Sequence, residues 1–469
     1  MVFSSITFLF YFLPIMLLCY YLVPKKFKNI ILLIGSFIFY FWGEPKNVSI
    51  MISVIALSYI GGLLIHKLKE KNSKYLKLAL WLIILSVLSF LIYFKYIDFL
   101  IENINLYLSN KIDLLNVILP IGISFFTFQA MSYVVDVYRG DVKVQKNIFD
   151  LALYVALFPQ LIAGPIVRYK DVEVQLETRV HSIEKFSNGI RRFVLGLSKK
   201  VLIANILGEL VNVFLVDSDG TVLFYWLYAI ANMLQIYFDF SGYSDMAIGL
   251  GKMFGFEFLE NFNYPYIATS ITDFWRRWHI SLSSWFKDYV YIPLGGNRKG
   301  LKRQIINIFV VWFLTGIWHG ANWNFILWGV YFGIILLIEK IFLLKVLDKT
   351  PKLISRIYVL FTVMISFIIF SNEDLKIAFQ NIKGLFISDN GFCSNISSYY
   401  FESYLVVILI GIIGSMPLLK NIINKLTSKS EKIKSVVNIF EPVILVVFLV
   451  ISVSYIIDGS FNPFLYFRF

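Results

Sequence analysis

The chain has 469 residues, of which 58% are hydrophobic and 18% aromatic, more apolar surface than a water-soluble core needs. Its formal charge of +13 is scattered through short loops rather than gathered in one soluble patch, which fits membrane topology and excludes a nucleic-acid surface. The two cysteines, Cys19 and Cys393, supply neither a disulfide framework nor a thiolate metal site.

A helix needs roughly 20 apolar residues to cross hydrocarbon, and runs such as Leu78 to Phe94 and Tyr404 to Met416 are almost continuously apolar. A β-barrel would show short alternating segments instead, so the expected class is all-α and polytopic. Met1 to Val23 lacks a basic leader and a small-residue cleavage site, and its positive charges follow it, so a retained first helix is expected rather than a signal peptide. The basic loops Lys25 to Lys28 and His66 to Lys77 are two spans apart and share a face. Arg139 to Lys146, Arg168 to Lys170, Arg298 to Arg303, Lys345 to Arg356 and Lys420 to Lys434 fall on the same face, which the positive-inside rule assigns to the cytoplasm. Asp217 to Gly220 and Asn372 to Tyr400, poorer in Lys and Arg, fall outside. About eleven or twelve spans result. Phe149 to Gly164 is too short to span and ends in Pro159, Gly164 and Pro165, so it is expected as a re-entrant or broken helix. With no soluble domain, linker or internal repeat, residues 1–469 read as one membrane domain.

Polar residues are costly in hydrocarbon and so mark functional segments. One such segment runs from Tyr237 to Gly296. It holds Asp239, Ser241, Ser244 and Asp245, then Asp273, Trp275, Arg276, Arg277, Trp278, His279, Ser281 and Ser283. Arg276 and Arg277 suit a phosphate or carboxylate, since guanidinium binds both bidentately. Equally, they and the tryptophans suit an interfacial anchor, and Asp273 with Arg276 and Arg277 forms an ordinary i, i+3, i+4 ion-pair set. The second segment is the break from Thr315 to Asn324, where Gly316 and Gly320 interrupt two apolar spans around Trp318, His319 and Asn322. His319 is either a general base for a hydroxyl nucleophile or a histidine satisfied by carbonyls in a helix cap. His66 and His181 lie in charged segments and read as solvated. His279 and His319 are a whole span apart and no HExxH-like spacing occurs, so no metal is expected.

These residues resemble the membrane-bound O-acyltransferases, in particular their bacterial alginate O-acetyltransferase branch. The resemblance rests on Asp273 to Gly296 (DFWRRWHISLSSWFKDYVYIPLGG) and on the WHGA motif Trp318 to Ala321. Phe158 to Tyr169 (FPQLIAGPIVRY), Tyr237 to Leu250 and the ending Asn462 to Phe467 support it. It implies a bundle with short re-entrant or interfacial helices around a central tunnel, in a bacterial cytoplasmic membrane. His319 is then the expected catalytic residue, with His279 the second catalytic position, while Asp273, Arg276, Arg277, Trp278, Trp318 and Asn322 are expected to bind substrate. The implied reaction moves an acetyl group from a cytoplasmic thioester to hydroxyls of an exported polysaccharide, directly or through an extracytoplasmic SGNH-type partner. No bound cofactor is implied, because acetyl-CoA or another acyl thioester is itself the donor substrate. The rival within the family is D-alanyl transfer to teichoic acid from a carrier protein; IPLGG at Ile292 to Gly296 favours O-acetylation. The rival of another class is a transporter or flippase.

Overall fold

The computed structural model describes residues 1–162, 164–216 and 219–459, which form two compact units. The expected ending Asn462 to Phe467 lies outside them, as do Ala163 and Asp217.

The first unit comprises Met1–Phe193 and Met246–Leu259. A π-helical turn, Thr7–Phe12, leads into α1 (Leu13–Leu22), followed by α2 (Lys28–Gly43). Phe3, Phe8, Phe12, Phe39 and Phe158 pack their rings together at centroid distances of 4.9 to 6.3 Å, which fixes this end of the chain against α2. α3 (Val48–Glu70), α4 (Leu76–Asn105) and α5 (Ile123–Arg139) pack on one another. Lipid supplies no hydrophobic drive between helices, so close approach depends on small residues. At Gly62 of α3 a Cβ would stand 2.6 Å from the Tyr133 hydroxyl of α5.

The apolar stretch from Phe149 is broken, as its Pro and Gly content implies. α6 (Ile148–Ala156) stops at Leu157, and α7 (Phe158–Leu161) follows as one buried turn. The break is satisfied by protein rather than lipid: the Phe158 N–H donates to Ser36 Oγ at 3.1 Å, and Gln160 Nε2 donates to the Tyr154 carbonyl at 2.6 Å. α8 (Tyr169–Glu177) and α9 (Ile183–Ser198) complete this stretch.

The second unit comprises Val194–Asp245 and the described residues from Glu260 onward. A π-helical segment, Lys199–Asn205, joins α9 to α10 (Ile206–Val216), and α11 (Val222–Met253) is the longest helix described. Gly242 of α11 lets the Gly196 carbonyl approach to 2.7 Å of where a Cβ would stand. Next come the short helices α12 (Ile271–Arg277) and α13 (Ile280–Phe286), then the hairpin of α14 (Gly300–His319) and α15 (Trp323–Ile338). α16 (Leu344–Leu347), α17 (Lys352–Ser371), α18 (Leu375–Gly384), α19 (Asn395–Gly414), α20 (Leu418–Lys429) and α21 (Glu431–Ile457) follow.

Seven described helices are long and apolar enough to cross a membrane, so the chain is a multi-pass, all-α membrane protein. The sequence count of eleven or twelve includes runs below that limit. Thr7–Leu22 and α15 are short, and α11 carries Asn232, Gln235, Asp239 and Asp245 along its buried length.

Candidate active site

The site is built in the second unit from a pinned irregular segment. α12 begins at Ser270, whose Oγ accepts the Asp273 N–H at 3.0 Å. Its remaining N-terminal donors meet a buried carboxylate. Glu339 accepts the Ile271 and Thr272 N–H groups at 2.6 and 2.8 Å and the Thr272 hydroxyl at 2.7 Å, so an anion sits where the helix dipole favours one. Between α12 and α13 the helical pattern fails for two residues. There the extended segment around Asn261 supplies the missing bonds: the Ile280 N–H donates to the Asn261 carbonyl at 3.0 Å and the Asn263 N–H to the Arg277 carbonyl at 2.9 Å.

His279 occupies this break with φ +43°, a left-handed conformation costly for a residue with a Cβ and held here by its neighbours. It is 1% exposed. Its Nδ1 lies 3.2 Å from Asn261 Oδ1, and the Ser281 N–H and hydroxyl donate to that same oxygen at 3.2 and 2.9 Å. A backbone N–H facing the amide requires its oxygen, not its nitrogen, on that side. Nδ1 must therefore carry the proton, and the lone pair falls on Nε2. That Nε2 is buried and has no hydrogen-bond partner among the described residues, a costly arrangement unless it serves a ligand.

His319 is the last residue of α14, where the helix opens into extended Gly320. Its imidazole is boxed by rings: Trp318 at 5.0 Å, Trp328 at 4.9 Å and Phe370 at 5.2 Å between centroids. Asn324 holds the break in place, its Nδ2 donating to the Phe370 carbonyl at 2.9 Å. Trp318 connects the two motifs, since its indole is 6.1 Å from the His279 ring as well as 5.0 Å from that of His319. Residues forty positions apart in sequence thus contact one side chain. Two buried imidazoles in an aromatic shell, away from bulk water, can accept a proton from a hydroxyl and exclude competing water.

The other expected binding residues divide. Arg277 pairs with Asp273 at 3.0 Å, the ordinary i, i+4 ion pair, and both are about 29% exposed. Arg276 is exposed on the same short helix. Trp278 is buried and stacks on Phe274 at 5.5 Å and 17°, in contact also with Tyr266 and Phe367. Asn322 precedes α15 half-buried and makes no side-chain cap bond. From the π-helical segment, Lys200 reaches Asp239 of α11 at 2.5 Å with both side chains buried, and Lys199 reaches Asp245 of α11 at 2.7 Å. Asn261, Asn324, Glu339 and Lys200 were not singled out from sequence. Glu339 alone left a signal there, as an acid ending the apolar run from Trp323.

Comparison with known proteins covers the part of the chain that carries these residues. The profile of the membrane-bound O-acyltransferase family, MBOAT, matches residues 71–378. The chain is 42% identical over 392 residues to a probable alginate O-acetylase of Azotobacter vinelandii, covering 82% of this chain and 78% of that protein. It is 34% identical over 424 residues to the peptidoglycan O-acetyltransferase of Helicobacter pylori, covering 82% and 80%. Against the teichoic acid D-alanyltransferase of Bacillus subtilis the identity is 30% over 237 residues, covering 47% and 59%.

Proposed function

The chain belongs to the membrane-bound O-acyltransferase family, and from that premise we propose that it moves an acetyl group from cytoplasmic acetyl-CoA to hydroxyls of an exported polysaccharide. Transfer runs directly or through an extracytoplasmic SGNH-type partner, across a bacterial cytoplasmic membrane and through a tunnel in the bundle. The observation that carries this reading is the pair of buried imidazoles that both contact Trp318.

A thioester is already activated, so the protein has to align it with a hydroxyl, keep water away and remove one proton. His319 takes that proton as the hydroxyl oxygen bonds to the acyl carbon. The tetrahedral adduct then collapses, the C–S bond breaks, and the departing thiolate recovers the proton from the imidazolium, leaving an ester and a free thiol. His279 is assigned a role in holding substrate. Its Nε2 carries the lone pair in the tautomer that fits the Asn261 oxygen, which suits it to accept a hydrogen bond from bound substrate. Arg276, exposed beside the paired Arg277, is the expected contact for a donor phosphate.

Acetyl transfer is preferred over D-alanyl transfer because the similarity to the O-acetylases extends over 82% of the chain, against 47% for the Bacillus D-alanyltransferase. Purified protein in nanodiscs, given radiolabelled acetyl-CoA or a D-alanyl carrier protein, separates the two. Thioester loss with acetyl-CoA alone is expected; loss only with the carrier protein would overturn the acetyl assignment.

A further inference from the structure

In the first unit, a cavity of about 420 Å³ opens beside the Lys25–Phe27 turn, between the end of α1 and the start of α2. Lys25, Lys26, Lys28 and Arg179 line it with His181, against the acids Asp150 and Glu177, so four fixed cations face two carboxylates. Asp150 is already engaged, its oxygens accepting from Asn29 Nδ2 at 2.8 Å and Asn147 Nδ2 at 2.7 Å. The Arg179 guanidinium is held in a fixed pose. It donates to Asn29 Oδ1 at 2.6 Å, to the Gln175 carbonyl at 3.0 Å and to the Tyr20 hydroxyl at 3.3 Å, with its face 4.4 Å from the Phe256 ring centroid. Lys28 is held over the Tyr20 and Tyr21 rings at 4.5 and 4.9 Å. Burial first, and then the Lys28 and Arg179 charges, push the His181 imidazole below its ordinary value. Such a cavity selects an anion.

Its lip decides which anion. Ile30 and Phe149 also line the cavity and are exposed, and Ile30 begins a stripe with Ile34 and Ile38 at i, i+4 and i+8 on α2, each exposed. Because α2 lies in a candidate span, Lys25–Gly43, this stripe faces hydrocarbon while the cations sit at the polar end of the same helix. A basic cavity continuous with a lipid-facing stripe fits a phosphate that carries an acyl chain. We propose that this cavity binds the phosphate head group of an anionic phospholipid, with one of its chains along Ile30, Ile34 and Ile38. A soluble phosphate would meet the same cations and leave the stripe unused.

Native mass spectrometry of the purified full chain, with phosphatidylglycerol or phosphatidylcholine added, tests this. Wild-type protein should retain phosphatidylglycerol in preference to phosphatidylcholine. The triple variant Lys25→Gln, Lys26→Gln, Lys28→Gln should weaken retention roughly a hundredfold, at about fivefold per lysine. Lys25 and Lys26 are exposed, so their double variant preserves the fold and should lose roughly 25-fold on the same scale. The Ile30→Asn, Ile34→Asn variant should also weaken lipid retention, which a site for soluble phosphate would not show. Equal retention of the two lipids, unchanged retention in the lysine variants, or displacement of the lipid by millimolar inorganic phosphate or CoA would overturn the proposal.

Discussion

His279 derives its properties from neighbours that share no local sequence pattern with it. Asn261 sits eighteen positions earlier in an extended segment, yet its amide oxygen fixes which ring nitrogen keeps the proton. Asn261→Leu removes that acceptor without adding charge and frees the imidazole to adopt the other tautomer. Activity should fall roughly a hundredfold or more, as when an orienting group behind a catalytic imidazole is lost, while the Ser281 N–H left without its acceptor should cost about 1–3 kcal/mol of stability. A Leu variant with wild-type turnover would show that the tautomer is irrelevant. The buried pair Lys200 and Asp239 makes the opposite kind of expectation. Lys200→Met alone removes the cation paired with a buried carboxylate and should cost about 3–5 kcal/mol, and adding Asp239→Leu should restore most of it. Thermal unfolding in detergent reads both. The histidine motifs were legible in sequence because imidazole, indole and guanidinium stand out in an apolar chain. Their partners were not, because an asparagine in a loop looks like any loop asparagine.

Among the elements, the α14 and α15 hairpin sets where His319 stands. Gly316 and Gly329 interlock there: a Cβ on Gly316 would come within 2.5 Å of the Phe325 carbonyl oxygen, and one on Gly329 within 2.5 Å of that of Trp312. Backbone cannot step aside as a side chain can, so Gly316→Ala should force the helices apart. The expected cost is about 1–3 kcal/mol, with loss of transfer as His319 shifts. Gly333→Ala, on α15 in the same hairpin, meets the Trp312 Cβ at an ordinary 3.4 Å and should be tolerated, which makes it the control for a thermal-unfolding comparison. The break at Leu157 could be read from Pro159 and Gly164, because those residues cannot continue a helix without strain. The short α12 and its Glu339 cap were hidden, since nothing in the chain says that an acid 66 positions after Asp273 will meet Ile271 and Thr272.

For the whole molecule, composition fixed the class and left the span count open, because polar helices inside a bundle fall short of any hydropathy limit. α11 illustrates this: its neighbours in the protein, not lipid, take up Asp239 and Asp245. The family is settled by similarity along most of the chain, and within it the proposed chemistry is argued from the two buried imidazoles that contact Trp318. The most direct measurement follows label from radiolabelled acetyl-CoA in nanodiscs holding wild type or His319→Ala, with circular dichroism and gel filtration confirming that the variant is folded. Acetyl transfer or thioester hydrolysis by wild type that vanishes in the folded variant is the expected result. Near-normal turnover by folded His319→Ala would contradict the assignment of that imidazole as the proton acceptor.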